Sequence, residues 1–255
     1  MVFNSIFFIF CFLPVFMLIY YLVPGKLRNL LLFLGSLIFY AWGEPVYVIL
    51  MLFSSIFNYY MGTELERLYY DDRKQKINLI FSIIINLAVL VFFKYYGFLL
   101  NTIGGIIGIH IPHPELSLPI GLSFYTFRNL SYLFDIYLSK VSAQRNFLTF
   151  AVYSTMFPYT SAGPIVRYTD IETQLKQRTI NISKFGTGAE LFVKGLAKKV
   201  LLADNLSVLY SSICGHPQMS VFTSWLGILA YTMQLYFDFS GYSDMAIGLG
   251  KNAGI

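Results

Sequence analysis

Long apolar runs separated by short polar stretches dominate the chain from its first residues onward. Residues 3–23 form the first run, which at about 1.5 Å per helical residue gives roughly 31 Å, enough to cross the hydrocarbon core. Two shorter runs, residues 30–42 and 46–61, flank a Gly-Glu-Pro segment that a continuous helix would not tolerate well. The pattern predicts a transmembrane helix followed by a hairpin of short or tilted helices.

The later apolar runs predict three further spans, at residues 77–96, 118–137 and 220–237. Between the first two of these, residues 101–117 are rich in glycine and proline and are predicted to form an external loop. Residues 146–165 are uncharged but contain prolines and a glycine, with a basic residue on each side. Because a simple span would put those bases on opposite sides of the membrane, this segment is interpreted as a re-entrant or broken helix.

Residues 185–210 have the pattern of an amphipathic helix lying at the membrane surface. Charged residues recur at every fourth position, at Glu190, Lys194 and Lys198. The opposite face is apolar and consists of Phe192, Leu196 and Val200. The predicted fold is therefore all-α: a polytopic membrane protein with about six spans, a re-entrant or broken helix and an interfacial amphipathic helix, in one membrane-embedded domain over residues 1–255.

The composition excludes an ordinary soluble domain and a disordered chain. Hydrophobic residues make up 56% and charged residues 12% of the sequence, against about 25% charged residues in soluble domains. The mean hydropathy is +0.63. The formal charge of +5 is interpreted as loops held at the cytoplasmic face, without a nucleic-acid partner.

The basic residues also predict the orientation of the chain. Lys26 and Arg28 follow the first run, and four more bases lie within residues 67–76. If both loops are cytoplasmic, the hairpin between them supplies the two crossings, and the N-terminus is extracytoplasmic. Residues 140–199 carry many more bases than acids and predict a basic cytoplasmic face.

The cysteines and histidines indicate neither a disulfide framework nor a metal site. Two cysteines provide neither a disulfide framework nor a multi-cysteine metal site. His110 and His113 lie in the predicted external loop without a further ligand, which makes a poor zinc site. No metal site is therefore expected.

The most informative polar segment is the run Asp-Phe-Ser-Gly-Tyr-Ser-Asp at residues 238–244. Asp238 and Asp244 lie in an otherwise apolar stretch, where carboxylates are costly unless they are functional or tightly hydrogen-bonded. One interpretation gives them a direct role with substrate. The other has Ser240 or Ser243 cap a helix broken within the segment, while the carboxylates accept backbone N–H groups. Both interpretations require a break in the span.

Two other polar features stand in apolar surroundings. Arg128 and Asp135 are seven residues apart and share one helical face, so they are expected to form a polar intramembrane pair. They could guide an anionic donor, but a simple charge pairing is favoured. Pro164 and Arg167 belong to a Pro- and Gly-broken stretch, which is suited to line a cavity or to meet a phosphate or carboxylate. The alternative is a turn with a snorkelling arginine.

Four segments together resemble a known family: LPIGLSFYTFRNLSYLFDIY (118–137), RNFLTFAVYSTMFPYTSAGPIVRY (145–168), GLAKKVLLAD (195–204) and AYTMQLYFDFSGYSDMAIGLG (230–250). They resemble the membrane-bound O-acyltransferase family. The nearest branch includes bacterial alginate O-acetyltransferases and the D-alanyl transferase of teichoic acid. The opening residues and the segment SLIFYAWGEP also resemble that branch, so the match extends over the whole chain.

The resemblance implies O-acyl transfer, commonly of acetyl, through a funnel in the bacterial plasma (inner) membrane to a hydroxyl on an extracytoplasmic polysaccharide. It implies no bound cofactor. The acyl donor is a cosubstrate, either acetyl-CoA or the thioester of an acyl carrier protein, and a partner acetyltransferase is a further expected component. The broken helices would line the funnel. Its candidate residues are Asp238, Ser240, Tyr242, Ser243, Asp244, Pro164 and Arg167.

Essential histidines of the family, one of them in a tryptophan-histidine motif, follow the segment that ends at residue 250. This places the expected catalytic histidine beyond Ile255, so we expect the N-terminal half of a longer acyltransferase fold. Arg128 also departs from the family pattern, which has an uncharged polar residue such as glutamine there.

Two alternatives from other functional classes remain open from the sequence. In a transporter or channel, Asp238 and Asp244 would line an ion or proton path. A non-catalytic scaffold would recruit a partner through the basic face of residues 140–199.

Overall fold

The computed structural model describes residues 3–108, 117–178, 180–216 and 220–255, and within these ranges the chain is helical with no strand. The α-helices are α1 (Leu13–Leu22), α2 (Arg28–Gly43), α3 (Val48–Arg67), α4 (Asp72–Ile107), α5 (Leu122–Tyr137), α6 (Phe147–Thr155), α7 (Tyr168–Lys176), α8 (Ile182–Ala197), α9 (Asp204–Cys214) and α10 (Val221–Asn252). The shorter turns are π-helical at Phe8–Phe12 and Lys198–Ala203 and 3₁₀-helical at Gly25–Leu27 and Phe157–Tyr159. The all-helical prediction is confirmed.

Two of the described helices, α3 and α4, are long and apolar enough to cross a membrane. The predicted hairpin of residues 30–61 corresponds to α2 and α3, although α3 is longer than its predicted half. The number of spans stays a prediction.

Helix α4 is also longer than predicted. It continues past residue 96 to Ile107, so the predicted loop at residues 101–117 is wrong in its first part. The helix ends at Gly108, whose φ of 74° is the left-handed conformation that closes many helices. Residues 109–116, which include His110 and His113, lie outside the described residues.

The predicted break within residues 146–165 is confirmed. Helix α6 ends at Thr155, a 3₁₀ turn follows at Phe157–Tyr159, and the chain stays non-helical until α7. Whether the segment is re-entrant stays a prediction.

The chain divides into two compact units. The first contains Met1–Arg28, Ala162–Pro164 and Thr173–Ile255, and the second contains Asn29–Ser161 and Ile165–Glu172. The prediction of one membrane-embedded domain is not tested by this division.

The second compact unit joins its helices through buried polar contacts. The Asn58 and Asn86 amides donate to each other's carbonyl oxygens at 3.0 and 2.9 Å, which links α3 to α4. The Ser55 hydroxyl donates to the Ser154 hydroxyl at 3.0 Å, which links α3 to α6. Side-chain hydrogen bonds of this kind connect helices in lipid, where a buried polar group needs a partner.

The first compact unit is built along α10. The N-terminal segment, from Phe3 through α1, presents a row of aromatic rings whose neighbouring centroids are 4.9–6.0 Å apart: Phe3, Phe8, Phe12, Phe16 and Tyr20. The Tyr20 and Tyr21 hydroxyls each donate, at 2.6 Å, to a backbone carbonyl at the end of α10. These two hydrogen bonds fix α1 against the end of α10.

Candidate functional site

Four glycines bring α8 and α10 together in the first compact unit. A Cβ added at Gly241 would lie 2.7 Å from the Gly195 carbonyl oxygen, and one at Gly195 would meet the Gly241 carbonyl oxygen in turn. Gly188 and Gly248 form a second reciprocal pair, with 2.7 and 2.6 Å from each Cβ to the other residue's carbonyl oxygen. Since the residue numbers rise on one helix as they fall on the other, the two helices are antiparallel.

The predicted break at Gly241 is wrong. Helix α10 runs without interruption from Val221 to Asn252. A glycine in a helix interior costs about 1 kcal/mol relative to alanine in water. Here the missing side chain allows two helix backbones to touch, and small residues serve this purpose at membrane helix interfaces.

A π-helical turn, Lys198–Ala203, lies where α8 passes the polar segment of α10. Lys198 Nζ donates to Ser240 Oγ at 3.0 Å and to Asp244 Oδ2 at 2.6 Å. Lys199 Nζ lies 2.8 Å from Asp238 Oδ1. A π turn shifts the side-chain register of a helix, and such turns are frequent at functional sites. We call these five residues the lysine–aspartate site.

The charges of the lysine–aspartate site are partly shielded from solvent. The side chains of Lys199 and Asp244 are each 22% exposed, that of Lys198 is 36% exposed and that of Asp238 is 45% exposed. Lys199 also pairs with Asp204 at the start of α9, at 3.1 Å. The lysines therefore pair with both carboxylates and fix α10 against α8, and the Ser240 hydroxyl accepts one of the Lys198 hydrogen bonds.

Lys198 departs from the predicted amphipathic stripe. Glu190 and Lys194 do form an exposed pair at 2.6 Å. The hydrogen bond from Lys194 lowers the pKa of the Glu190 carboxyl, and the same contact raises the pKa of Lys194. Lys198, in contrast, turns towards α10.

Tyr242 packs inside the first compact unit. Its ring stacks on Phe3 with a centroid separation of 4.7 Å and an interplanar angle of 7°. A Cβ at Gly163, the residue before Pro164, would lie 3.2 Å from the Tyr242 ring. The structure therefore brings the stretch at Pro164 to the face of α10 that carries Tyr242.

Two further candidates are placed differently. The Ser243 hydroxyl oxygen is buried and has no hydrogen-bond partner within the described chain. Arg167 is exposed and lies in the second compact unit, directly before α7. Neither is part of the lysine–aspartate site.

Arg128 and Asp135 are both buried in the second compact unit, and their predicted pairing stays a prediction. Arg128, only 1% exposed, donates through Nη1 to the carbonyl oxygens of Tyr153 at 3.1 Å and Ser154 at 3.3 Å. Its Nη2 donates to the Tyr159 carbonyl oxygen. These oxygens belong to the end of α6 and the 3₁₀ turn, where backbone acceptors have no intrahelical donor. Asp135 Oδ1 also lies 4.0 Å from Lys140 Nζ.

Sequence reasoning missed Lys198 and Lys199 as partners of the α10 carboxylates. Two acids in an apolar helix require cations, and a Lys-Lys pair next to an apolar stretch was the available signal. Their direction depends on the π turn, which the sequence pattern does not reveal.

Comparison with known proteins settles the family. A sequence model of the membrane-bound O-acyltransferase family matches residues 42–255. The chain belongs to this family. The probable alginate O-acetylase AlgI of Pseudomonas aeruginosa is 41% identical over 258 residues, covering 100% of this chain and 50% of that protein.

Other relatives are less similar. The peptidoglycan O-acetyltransferase of Helicobacter pylori is 33% identical over 98% of this chain and 54% of its own length. The teichoic acid D-alanyltransferase of Bacillus subtilis is 24% identical over 57% of this chain and 38% of its own length. The predicted resemblance is confirmed. The chain spans about half the length of the curated O-acetylases and O-acetyltransferase that it matches.

Proposed function

We propose that this protein acts in membrane-bound O-acetylation of a cell-envelope polysaccharide. The observation that carries the proposal is the 41% identity, over the whole chain, to a probable alginate O-acetylase. In the proposed reaction the C–S bond of a thioester donor breaks and a C–O ester bond forms. The acceptor hydroxyl gives up its proton to a base, and the departing sulfur takes up a proton.

The proposed donor is acetyl-CoA or the thioester of an acyl carrier protein on the cytoplasmic side. The acceptor is a polysaccharide hydroxyl on the other side, and a partner acetyltransferase completes the assembly. The protein would lie in the bacterial plasma membrane with its N-terminus outside. About six spans, the broken helix and an interfacial segment at residues 185–210 form the proposed arrangement, which α3 and α4 support by length and composition.

We assign the lysine–aspartate site a positioning role in this reaction. Its ion pairs fix the polar segment of α10, which carries most of the predicted funnel residues, against α8. An element that orients reacting groups can change a rate strongly without touching substrate. Asp238 and Asp244 are both engaged by lysines, which does not favour an open ion path, and the relatives do not favour a scaffold without catalysis.

Asp244→Asn, introduced at the chromosomal gene, is expected to lower the acetate released from the envelope polysaccharide by mild base. The substitution removes the charge that holds Lys198. We expect the rate of acetyl transfer to fall about tenfold, which corresponds to a rise of about 1.4 kcal/mol in its activation barrier. Lys198→Gln should have a similar effect, and the double variant should lose little more than either single variant, because both remove the same contact.

The matched control is Glu190→Gln, which breaks the exposed Glu190–Lys194 ion pair on α8. It should leave the acetate content unchanged. Wild-type acetate in Asp244→Asn cells with equal protein in the membrane would refute the positioning role. If gene deletion itself left the acetate unchanged, the proposed function would be refuted as well.

A further inference from the structure

A groove of about 490 Å³ lies at one end of the second compact unit, outside the lysine–aspartate site. It is formed by the end of α3, the connection from α3 to α4, and the connection from α5 to α6. Its polar lining includes Glu66, Tyr69, Tyr70, Lys140 and Arg145. The volume is within the range of small-ligand sites. We call it the headgroup groove.

The groove lies at the level where apolar helix surface ends. Helix α3, one of the two helices apolar enough to span a membrane, ends at Arg67, and α4, the other, begins at Asp72. Outward-facing residues of α3 are apolar and exposed, among them Phe53 and Ile56. In a membrane, lipid chains would cover these residues and the groove would face the headgroup layer.

Arg145 and Lys140 each have N–H groups available to donate to a ligand in the groove. The Arg145 side chain is 74% exposed and donates through Nη2 to the carboxylate of Glu66, which also lines the groove. An arginine has five N–H donors. Lys140 Nζ lies 4.0 Å from Asp135 Oδ1, which is beyond hydrogen-bond distance, and its side chain is 49% exposed. The buried Asp135 carboxylate thus holds Lys140 at the wall without occupying its N–H groups.

The aromatic residues favour a ligand at the membrane surface. Tyr70 is 97% exposed and Tyr69 is 52% exposed, and their rings meet edge to face at 5.3 Å. Tyrosines with this exposure at the end of a span belong to the layer where an apolar ring meets polar headgroups. Lysine and arginine at the same level attract anionic lipid.

We propose that the headgroup groove binds the phosphodiester of an anionic phospholipid. Lys140 and Arg145 donate to its phosphate oxygens, Glu66 holds Arg145 in the lining of the groove, and the tyrosine rings lie beside the glycerol backbone. The acyl chains continue along the exposed apolar residues of α3. A free phosphate would use the same cations but would gain nothing from the tyrosines or from α3.

Native mass spectrometry of the detergent-solubilised protein tests this proposal. After incubation with phosphatidylglycerol or phosphatidylcholine, the protein should retain phosphatidylglycerol preferentially. Lys140→Gln with Arg145→Gln should reduce its retention about tenfold. Arg67→Gln is the matched control, since Arg67 is an equally exposed base at the end of α3 that does not line the groove, and retention should not change.

Three results would overturn the proposal. Equal retention of both lipids would reject recognition of the anionic headgroup, and full retention in the double variant would reject the groove as the site. Displacement of the lipid by inorganic phosphate at a similar concentration would make it a site for free anions. If the double variant is not recovered folded, Lys140→Gln alone carries the test, with an expected loss of about threefold.

Discussion

Gly195→Ala is expected to destabilise the first compact unit by about 3 kcal/mol, which is the upper range for overpacking a tight contact. The new methyl group would meet the Gly241 carbonyl oxygen and would lie 2.7 Å from the Met245 backbone nitrogen. Both belong to the backbone of α10, so no side chain can rotate away. The thermal unfolding midpoint of the detergent-solubilised protein is the measurement.

Gly186→Ala is the matched control for this substitution. Gly186 is on the same helix and exposed, and a Cβ there would have no neighbour within 4 Å. The exchange should leave the unfolding midpoint unchanged or raise it, because alanine is favoured over glycine in a helix by about 1 kcal/mol. Equal midpoints for Gly195→Ala and the wild type would show that α8 and α10 do not touch as described.

Arg128→Ala is expected to lower the free energy of unfolding by about 3 kcal/mol or more, because a hydrogen bond to a charged group contributes about 1.5–3 kcal/mol. The substitution leaves the carbonyl oxygens of Tyr153, Ser154 and Tyr159 without this donor and opens a cavity. Arg128→Gln should lose less, since its amide group supplies two N–H donors. We expect the thermal unfolding midpoint to fall from wild type to Arg128→Gln and further to Arg128→Ala.

Arg145→Ala provides the comparison, because Arg145 is an exposed arginine in the same unit. Its exposed ion pair should contribute less than about 1 kcal/mol. An unfolding midpoint for Arg128→Ala as high as that for Arg145→Ala would contradict the role of Arg128 at the end of α6.

The sequence predicted those parts of the fold that depend on local pattern. Long apolar runs predicted the helices, and Pro158, Gly163 and Pro164 predicted the break after α6. The end of α4 was misplaced because glycine and asparagine in an apolar stretch do not decide between loop and helix. In α4 the helix continues through Gly104 and Gly105 and ends only at Gly108.

The sequence identified the two carboxylates of the lysine–aspartate site, but it did not predict the contacts that these residues and their neighbours make. Asp238 and Asp244 were identified because carboxylates are costly in apolar surroundings. Gly241 was interpreted as a break, because its use as a contact point depends on Gly195, which is 46 residues away in the sequence. The hydrogen bonds from Arg128 to the carbonyl oxygens of Tyr153, Ser154 and Tyr159 were likewise not predicted, because no residue pattern reveals a backbone acceptor from a distant segment.

Transfer of labelled acetyl is the most direct test of the proposed function. Membranes from cells that carry the native gene are supplied with acetyl-labelled thioester donor on the cytoplasmic side and with the cell's own polysaccharide. We predict base-labile label on the polysaccharide, reduced about tenfold by Asp244→Asn, unchanged by Glu190→Gln and absent after gene deletion. Equal labelling with and without the gene would contradict the account.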